Sequence, residues 1–273
     1  LRAALQGKPR VAILGGGFLG LEIANSALAA GAAVTVIERA TSLLDRFLPP
    51  EASAWLESGL RQAGARLLLG SALEDVHPLP DGRMRLSTHA GDLEADEIVV
   101  AIGLSPNDAL ARDAGLAIAA GGGVLVDAQC RTSDEHVFAC GDCTSQQRPG
   151  HAAPTRLESW QNANEQARTA AAAMLGAAGP APAVPWFWTD QGRHNIQMLG
   201  LPGPGLAYVR RGDPAAGKVL WIGHRGGVPL HGVAMLSTCN RVEAILSAPN
   251  EDVVEQIVDW MAQRAGAART DLE

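Results

Sequence analysis

The sequence predicts an α/β protein, with a doubly wound parallel sheet first and an α+β domain with an antiparallel sheet last. Three observations predict it. Short apolar runs alternate with helical segments from residue 10 onward. A cluster of glycines stands where the first run meets the first helix. Segments beyond residue 185 alternate polar and apolar residues and break at Gly or Pro.

Each element has its own signal. RVAIL, residues 10–14, is an apolar run suited to a strand covered on both faces of a parallel sheet. FLGLEIANSALAAG reads as a helix ended by Gly31, and AVTVIER as the next strand. PEASAWLESGLRQAG is a helix with Pro50 near its start and Gly64 after its end, and ARLLLG is a third strand. Strand-helix-strand-helix-strand is the doubly wound signature. From residue 73, LEDVHPL, a PDGR turn, MRLSTH and GDLEA read as a small antiparallel meander. DEIVVAIG then returns as a buried strand, and GVLVD and HVFACGD read as two further short strands. Leu157 to Leu175 is a helix, and GAAGPAPAVP, 176–185, is a linker. Beyond it NIQMLG, LAYVRRG, KVLWIGHRG and LHGVAML read as antiparallel strands. NEDVVEQIVDWMAQRAG closes the chain as an amphipathic helix capped by Asn250.

Composition excludes several function classes. With 273 residues the chain holds two or three domains, and 47% apolar content argues against disorder. A net charge of −7 without a Lys/Arg run argues against nucleic-acid binding. Four Cys suit a cytoplasmic protein rather than a disulfide scaffold. No signal peptide and no bilayer-spanning apolar run are legible, so no membrane partner is expected. The final Leu272-Glu273 reads as a cloning scar.

Gly15-Gly16-Gly17-Phe18-Leu19-Gly20 is G-x-G-x-x-G, following a strand and opening a helix, and Glu38 ends the next strand 18 residues later. That context makes it a dinucleotide fingerprint. Gly15 permits the tight turn, Gly17 the approach of a pyrophosphate to the helix N-terminus, and Gly20 the packing of helix on strand. Glu38 would accept from the adenosine ribose hydroxyls and repel a 2′-phosphate, which favours NAD over NADP, although Arg39 beside it blurs the choice. Glu22, two residues past Gly20, reads at this level as a carboxylate compensating the helix dipole.

Five stretches in order, VAILGGGFLGLEIA, DEIVVAIGLSPN, VFACGDCTS, RLESWQNANEQA and PWFWTDQGRHNIQMLGL, resemble the FAD-dependent ferredoxin reductases of bacterial ring-hydroxylating dioxygenase and cytochrome P450 systems. The resemblance runs over almost all of residues 8–205 and thins beyond. It implies an NAD-binding domain over 1–108, the C-terminal part of a FAD-binding domain over 109–184, and a C-terminal α+β reductase domain over 185–271. It raises Glu22 to a ligand of the nicotinamide carboxamide and puts Gly103 at the nicotinamide end. Ser42 stands where the family often has an Arg, so Arg39 or Arg46 would have to substitute. Gly141 and Asp142 match the Gly-Asp pair that meets the ribityl chain of FAD. Glu158, Ser159 and Trp160 would open a helix aimed at the flavin pyrimidine. Trp188, with Trp186 as its neighbour, resembles aromatics closing over the isoalloxazine.

The resemblance implies electron transfer from NADH through FAD to a [2Fe–2S] ferredoxin, with a homodimer allowed. The chemistry is then the cofactors', so no acid–base or nucleophilic residue is nominated, and no metal site is expected. The family's first G-x-G-x-x-G is not found, so the chain reads as lacking an N-terminal FAD-binding segment and as a poor flavin binder alone. The alternatives are a flavin disulfide reductase and an NAD-binding fragment without turnover. Cys140 and Cys143 form a C-x-x-C pair, but Cys140 is expected as a buried strand residue and the pair as incidental. Arg210, Arg211, His224 and Arg225 are a candidate docking patch for an acidic ferredoxin.

Overall fold

The computed structural model describes residues 3–148, 153–180, 184–203 and 205–236. They fall into two compact units, Leu1–Gly103 with Trp188–Glu273, and Leu104–Phe187. The predicted closing helix at 250–266 lies outside the described residues.

The first unit begins with β1 (Arg10–Leu14), α1 (Phe18–Ala29), β2 (Ala33–Glu38), α2 (Pro50–Gln62) and β3 (Arg66–Leu69). The meander follows as β4 (Leu73–Pro78), β5 (Met84–Thr88) and β6 (Leu93–Ala95), and β7 (Glu97–Val100) returns to the first sheet. That sheet is parallel in the order β3-β2-β1-β7, as the doubly wound pattern predicts. The central β1 has neighbours on both sides and no polar side chain from Val11 to Leu14, all four of which are buried. Its first residue is clamped to the strand beside it. The Arg10 guanidinium and N–H both donate to Asp96 at 2.7 to 3.2 Å, which pushes the Asp96 carboxyl down to about 2.

Both long helices of this unit stop by the same device. Gly31 at φ +84° donates to Leu28 C=O while Ala32 donates to Ala27 C=O. Gly64 at φ +99° repeats the pattern with Arg61, as Ala65 does with Leu60. These are Schellman ends, which need a left-handed residue and therefore select the glycine seen in the sequence.

The second unit holds α3 (Ala109–Asp113), the parallel pair β8 (Val124–Val126) and β9 (Thr144–Gln146), and α4 (Trp160–Met174). Two expectations are corrected here. HVFACGD is not a strand: it makes one isolated bridge, Arg131 to Phe138, and the partner of β8 comes after it. The cause is the turn at Gly141, φ +84°, whose C=O accepts from Thr144 N–H and redirects the chain. The helix predicted from Leu157 starts at Trp160. Ser159 is extended, and its hydroxyl accepts from the Asn162 N–H, so it caps the helix rather than joining it.

β10 (Trp186–Gln191), β11 (His194–Gly200), β12 (Ala207–Asp213), β13 (Lys218–Arg225) and β14 (Val228–Leu236) form an antiparallel sheet in the order β10-β11-β14-β13-β12. The structure is thus α/β, with a Rossmann-like parallel core and an antiparallel C-terminal sheet. No described helix is long and apolar enough to cross a membrane.

Candidate functional site

The glycine loop between β1 and α1 shows why three glycines are used. A Cβ on Gly15, itself at φ +104°, would lie 2.3 Å from the Ala101 carbonyl oxygen. A Cβ on Gly20 would lie 2.1 Å from the Gly15 oxygen. Both contacts are to backbone, which cannot yield, so these two glycines build the fold. Gly17 is different. It is the N-cap of α1 at an ordinary φ of −80°, it makes no side-chain cap, and open space lies where its Cβ would be. Gly is an ordinary cap residue, so what marks the position is the open space beside it, which leaves the backbone N–H groups of the first turn approachable by an anionic group. The first turn of α1 carries no acidic residue at its start, and Phe18 and Leu19 are its first two positions. The residues therefore fit a dinucleotide pyrophosphate.

Glu38, at the end of β2, is fixed by two backbone donors. Its Oε2 accepts the Gly16 N–H at 2.6 Å and its Oε1 the Ala40 N–H at 2.8 Å. The carboxylate is thereby tied to the glycine loop itself, with further lone pairs available to a ribose. Arg39 beside it is exposed. Arg46 is exposed as well, with its guanidinium 5.9 Å from the Phe47 ring centroid, and Phe47 in turn packs on Phe18 at 4.8 Å. Gly103 lies at φ +104°, a conformation that favours glycine.

Glu22 is half-buried on α1 and is held from β10. Its Oε1 accepts the Thr189 hydroxyl at 2.6 Å and the Asp190 N–H at 3.2 Å. This is more than a helix-dipole carboxylate does. Thr189, Gln191 and Asn25 complete the arrangement and went unnoticed in the sequence. The available signal was the polar run Thr189-Asp190-Gln191 inside an aromatic strand. Trp188 adjoins it on β10, half-buried.

The other predicted site residues lie in the second unit. The Gly141 N–H donates to the Gln166 side chain at 2.8 Å, and Thr144 donates to the same oxygen at 2.9 Å. Gln166 on α4 thus holds the Gly-Asp turn, and Asp142 is left exposed. Ser159 caps α4, Glu158 pairs with Arg156 at 2.8 Å, and Trp160 is 66% exposed. The Trp186 backbone N–H donates to the Gln161 side-chain oxygen at 2.6 Å. A left-handed glycine, an exposed carboxylate and a capped helix start fit contributions to a flavin site.

The C-x-x-C pair changes in one respect. Cys140 is exposed, not buried as expected, because the turn replaces the predicted strand; among the described cysteines Cys130 is the buried one. Burial, with the Cys140 thiol nearby, pushes the Cys130 thiol up to about 11, and burial also raises Cys143. Within the pair, the raised Cys143 thiol is a poor nucleophile, which speaks for an incidental pair. Among the described residues no His, Cys, Asp and Glu cluster could hold a metal ion.

The basic residues of the expected patch do not share one face. In the β12–β13 register Arg210 faces Trp221, while Arg211 stands with Leu220, one residue on and so on the opposite face, which His224 shares. Arg210 pairs with Glu51, which also accepts the Trp221 indole N–H at 2.9 Å.

Comparison with known proteins gives these arrangements a context. Residues 1–167 match the family described as pyridine nucleotide-disulphide oxidoreductase, and residues 186–247 match the one described as reductase C-terminal. The chain is 42% identical over 226 residues to the anthranilate 1,2-dioxygenase system ferredoxin–NAD(+) reductase component of Burkholderia cepacia, covering 83% of this chain and 55% of that protein. Among solved structures it resembles the ferredoxin reductase for the CYP199A2 system of Rhodopseudomonas palustris, at 34% identity and a TM-score of 0.80, over 86% of this chain and 58% of that one. It also resembles a chain of the covalent putidaredoxin reductase–putidaredoxin complex, at 32% identity and a TM-score of 0.80, covering 86% of this chain and 56% of the other. The chain thus spans about half the length of the relatives it matches. With the glycine loop and its carboxylate supporting the match, the chain belongs to the pyridine nucleotide-disulphide oxidoreductase family.

Proposed function

We propose that the chain is part of an NADH-dependent flavin ferredoxin reductase serving an aromatic-ring dioxygenase or a cytochrome P450. The observation that carries the reading is the open cradle at Gly17 with Glu38 fixed beside it. Gly17 and the first turn of α1 bind the pyrophosphate, and Gly15 and Gly20 keep the loop close enough to do so. Glu38 accepts from the adenosine ribose and sets the preference for NADH over NADPH. Arg39 borders that end. Glu22 accepts the nicotinamide carboxamide and, with Gly103, sets where the hydride leaves.

FAD supplies acceptance of a hydride and release of its two electrons singly. Asp142 bonds a ribityl hydroxyl, and Gly141 lets the backbone approach. Ser159 keeps the α4 N-terminus formed, with Glu158 and Trp160 beside it, so that its positive end favours an anionic flavin ring. Trp188 borders the ring. The stretches 1–108, 109–184 and 185–271 divide these tasks as NAD-binding, flavin-binding and reductase C-terminal parts. The named relatives of dioxygenase and putidaredoxin systems support a ferredoxin as electron acceptor. We extend the proposal to a [2Fe–2S] ferredoxin, a cytoplasmic setting and a homodimer.

The test uses the purified chain. Its visible flavin absorbance, its affinities for NADH and NADPH, its sedimentation, and NADH-dependent reduction of a [2Fe–2S] ferredoxin are measured together. NADH binding tighter than NADPH binding, with ferredoxin reduction once flavin is bound, is the expected result. Failure to bind NADH overturns the reading. NADH binding and flavin loading without electron delivery leave only the dinucleotide part of it.

A further inference from the structure

We infer that Thr189 is a positioning residue for the nicotinamide end of the dinucleotide, acting through Glu22 at the head of a one-directional hydrogen-bond chain. The inference rests on the reading of Glu22 as a ligand of the carboxamide.

The chain starts on α1. Asn25 Nδ2 donates to the Leu21 carbonyl at 2.9 Å and to Gln191 Oε1 at 2.9 Å. Gln191 Nε2 donates to Thr189 Oγ1 at 2.8 Å. Thr189 Oγ1 donates to Glu22 Oε1 at 2.6 Å. Each link fixes the next. The Asn25 amide nitrogen uses both protons, so the Gln191 oxygen must face it and the Gln191 nitrogen must face Thr189. A hydroxyl that accepts from Gln191 has its single proton left for Glu22. Thr189 and Gln191 are buried, so water does not compete for these groups. Gly192, at φ +64°, makes room: a Cβ there would lie 3.2 Å from the Asn25 side-chain oxygen.

The result at Glu22 is asymmetric. Both protein donors, Thr189 Oγ1 and the Asp190 N–H, converge on Oε1. No described residue donates to Oε2, and no described Lys, Arg or His forms an ion pair with Glu22. Among the described residues, then, two neutral donors orient the carboxylate through Oε1 and leave Oε2 without a protein donor. A carboxamide NH2 is a donor of the right kind. A hydrogen bond to a charged group is among the stronger ones, so the orientation is worth keeping. Thr189 touches neither substrate nor cofactor in this scheme. It decides where Oε2 points.

The test is the affinity of the purified chain for NADH against ADP-ribose, which shares everything except the nicotinamide. Thr189→Val keeps the side chain's shape and removes its hydroxyl. The expected result is a loss of about tenfold in NADH affinity with ADP-ribose affinity unchanged. Thr189→Ser restores the NADH value. In a Glu22→Gln background Thr189→Val has no further effect on the ratio, since the acceptor it orients is already altered. Asn25→Leu, at the half-buried tail of the same chain, shifts the ratio the same way by about threefold and serves if Thr189→Val does not fold. Equal losses for both ligands, or an unchanged ratio in both Thr189→Val and Asn25→Leu, overturn the inference. A wild-type chain that binds NADH no better than ADP-ribose overturns the Glu22 reading beneath it, and the inference with it.

Discussion

Glu38 Oε2 accepts the Gly16 backbone N–H at 2.6 Å, so the residue that would choose the dinucleotide is also a brace for the loop that would bind it. Replacing it separates the two roles. Glu38→Gln keeps one acceptor oxygen, but turns an amide NH2 toward either the Gly16 or the Ala40 N–H. One partly buried donor then loses its partner, at about 1–2 kcal/mol. The lost negative charge also stops repelling a 2′-phosphate. NADH affinity should fall by about tenfold while the NADPH-to-NADH affinity ratio rises. Paired titrations with the two nucleotides read both effects. A variant with the wild-type ratio would remove Glu38 from cofactor choice.

Gly17 and Gly20 should respond oppositely to the same substitution. In Gly20→Ala the new methyl meets the Gly15 oxygen at 2.1 Å, so the loop or the helix must shift. Overpacking of this kind costs about 1–3 kcal/mol. Gly17→Ala meets nothing at ordinary dihedrals, so its unfolding midpoint should stay within about 0.5 kcal/mol of wild type. Its methyl nonetheless occupies the cradle, and NADH affinity should fall by at least about tenfold. Urea melts alongside nucleotide titrations separate a glycine needed by the fold from one needed by the ligand. Equal destabilisation of the two variants would refute that separation.

Much of this was legible because it is local. The run from Val11 to Leu14, the loop from Gly15 to Gly20, and the left-handed stops at Gly31 and Gly64 each follow from a few adjacent residues. The second unit is less legible in the sequence. The Gly141 turn is local too, but an apolar HVFAC before it imitates a strand, and only the register of Thr144–Gln146 with Val124–Val126 shows where the strand is. The hydrogen bond from Thr189 to Glu22 spans 167 positions, a separation that no period or spacing encodes. The split of Arg210 from Arg211 is different again. Strand alternation alone forbids neighbouring residues from sharing a face, so the sequence already held the answer.

The Cys140–Cys143 pair should prove dispensable. Cys130 and Cys143 have thiols raised by burial, so neither is thiolate-rich near neutral pH. Cys140→Ala/Cys143→Ala should bind NADH as wild type does and melt within about 0.5 kcal/mol of it. Among the three described cysteines of the native chain at pH 7.5, Ellman's reagent should modify exposed Cys140 first and leave Cys130 unmodified until denaturant is added. A double variant that no longer binds NADH would count against the incidental pair, and a fast-reacting Cys130 would count against its burial.

Acid sensitivity should centre on His231. Its ring is 2% exposed and burial pushes its pKa down to about 4. Nδ1 lies 3.0 Å from the Tyr208 hydroxyl, whose own pKa is raised by burial, so the phenol stays protonated and suits the donor role. Nε2 is buried with no partner among the described residues. Gly223 makes the pairing possible, since a Cβ there would lie 2.8 Å from the Tyr208 ring. The unfolded histidine titrates near 6.5, so between that value and 4 the unfolded state binds more protons than the folded one. Stability is therefore fully present above pH 6.5 and declines as pH falls toward 4, by about 3 kcal/mol from this residue. His194, lowered by burial and Arg193, adds to the decline with the same sign. His231→Leu abolishes the first contribution and leaves the second. The difference in urea midpoint between pH 7 and pH 4.5 should shrink in that variant, and an undiminished difference would assign the acid sensitivity to other groups.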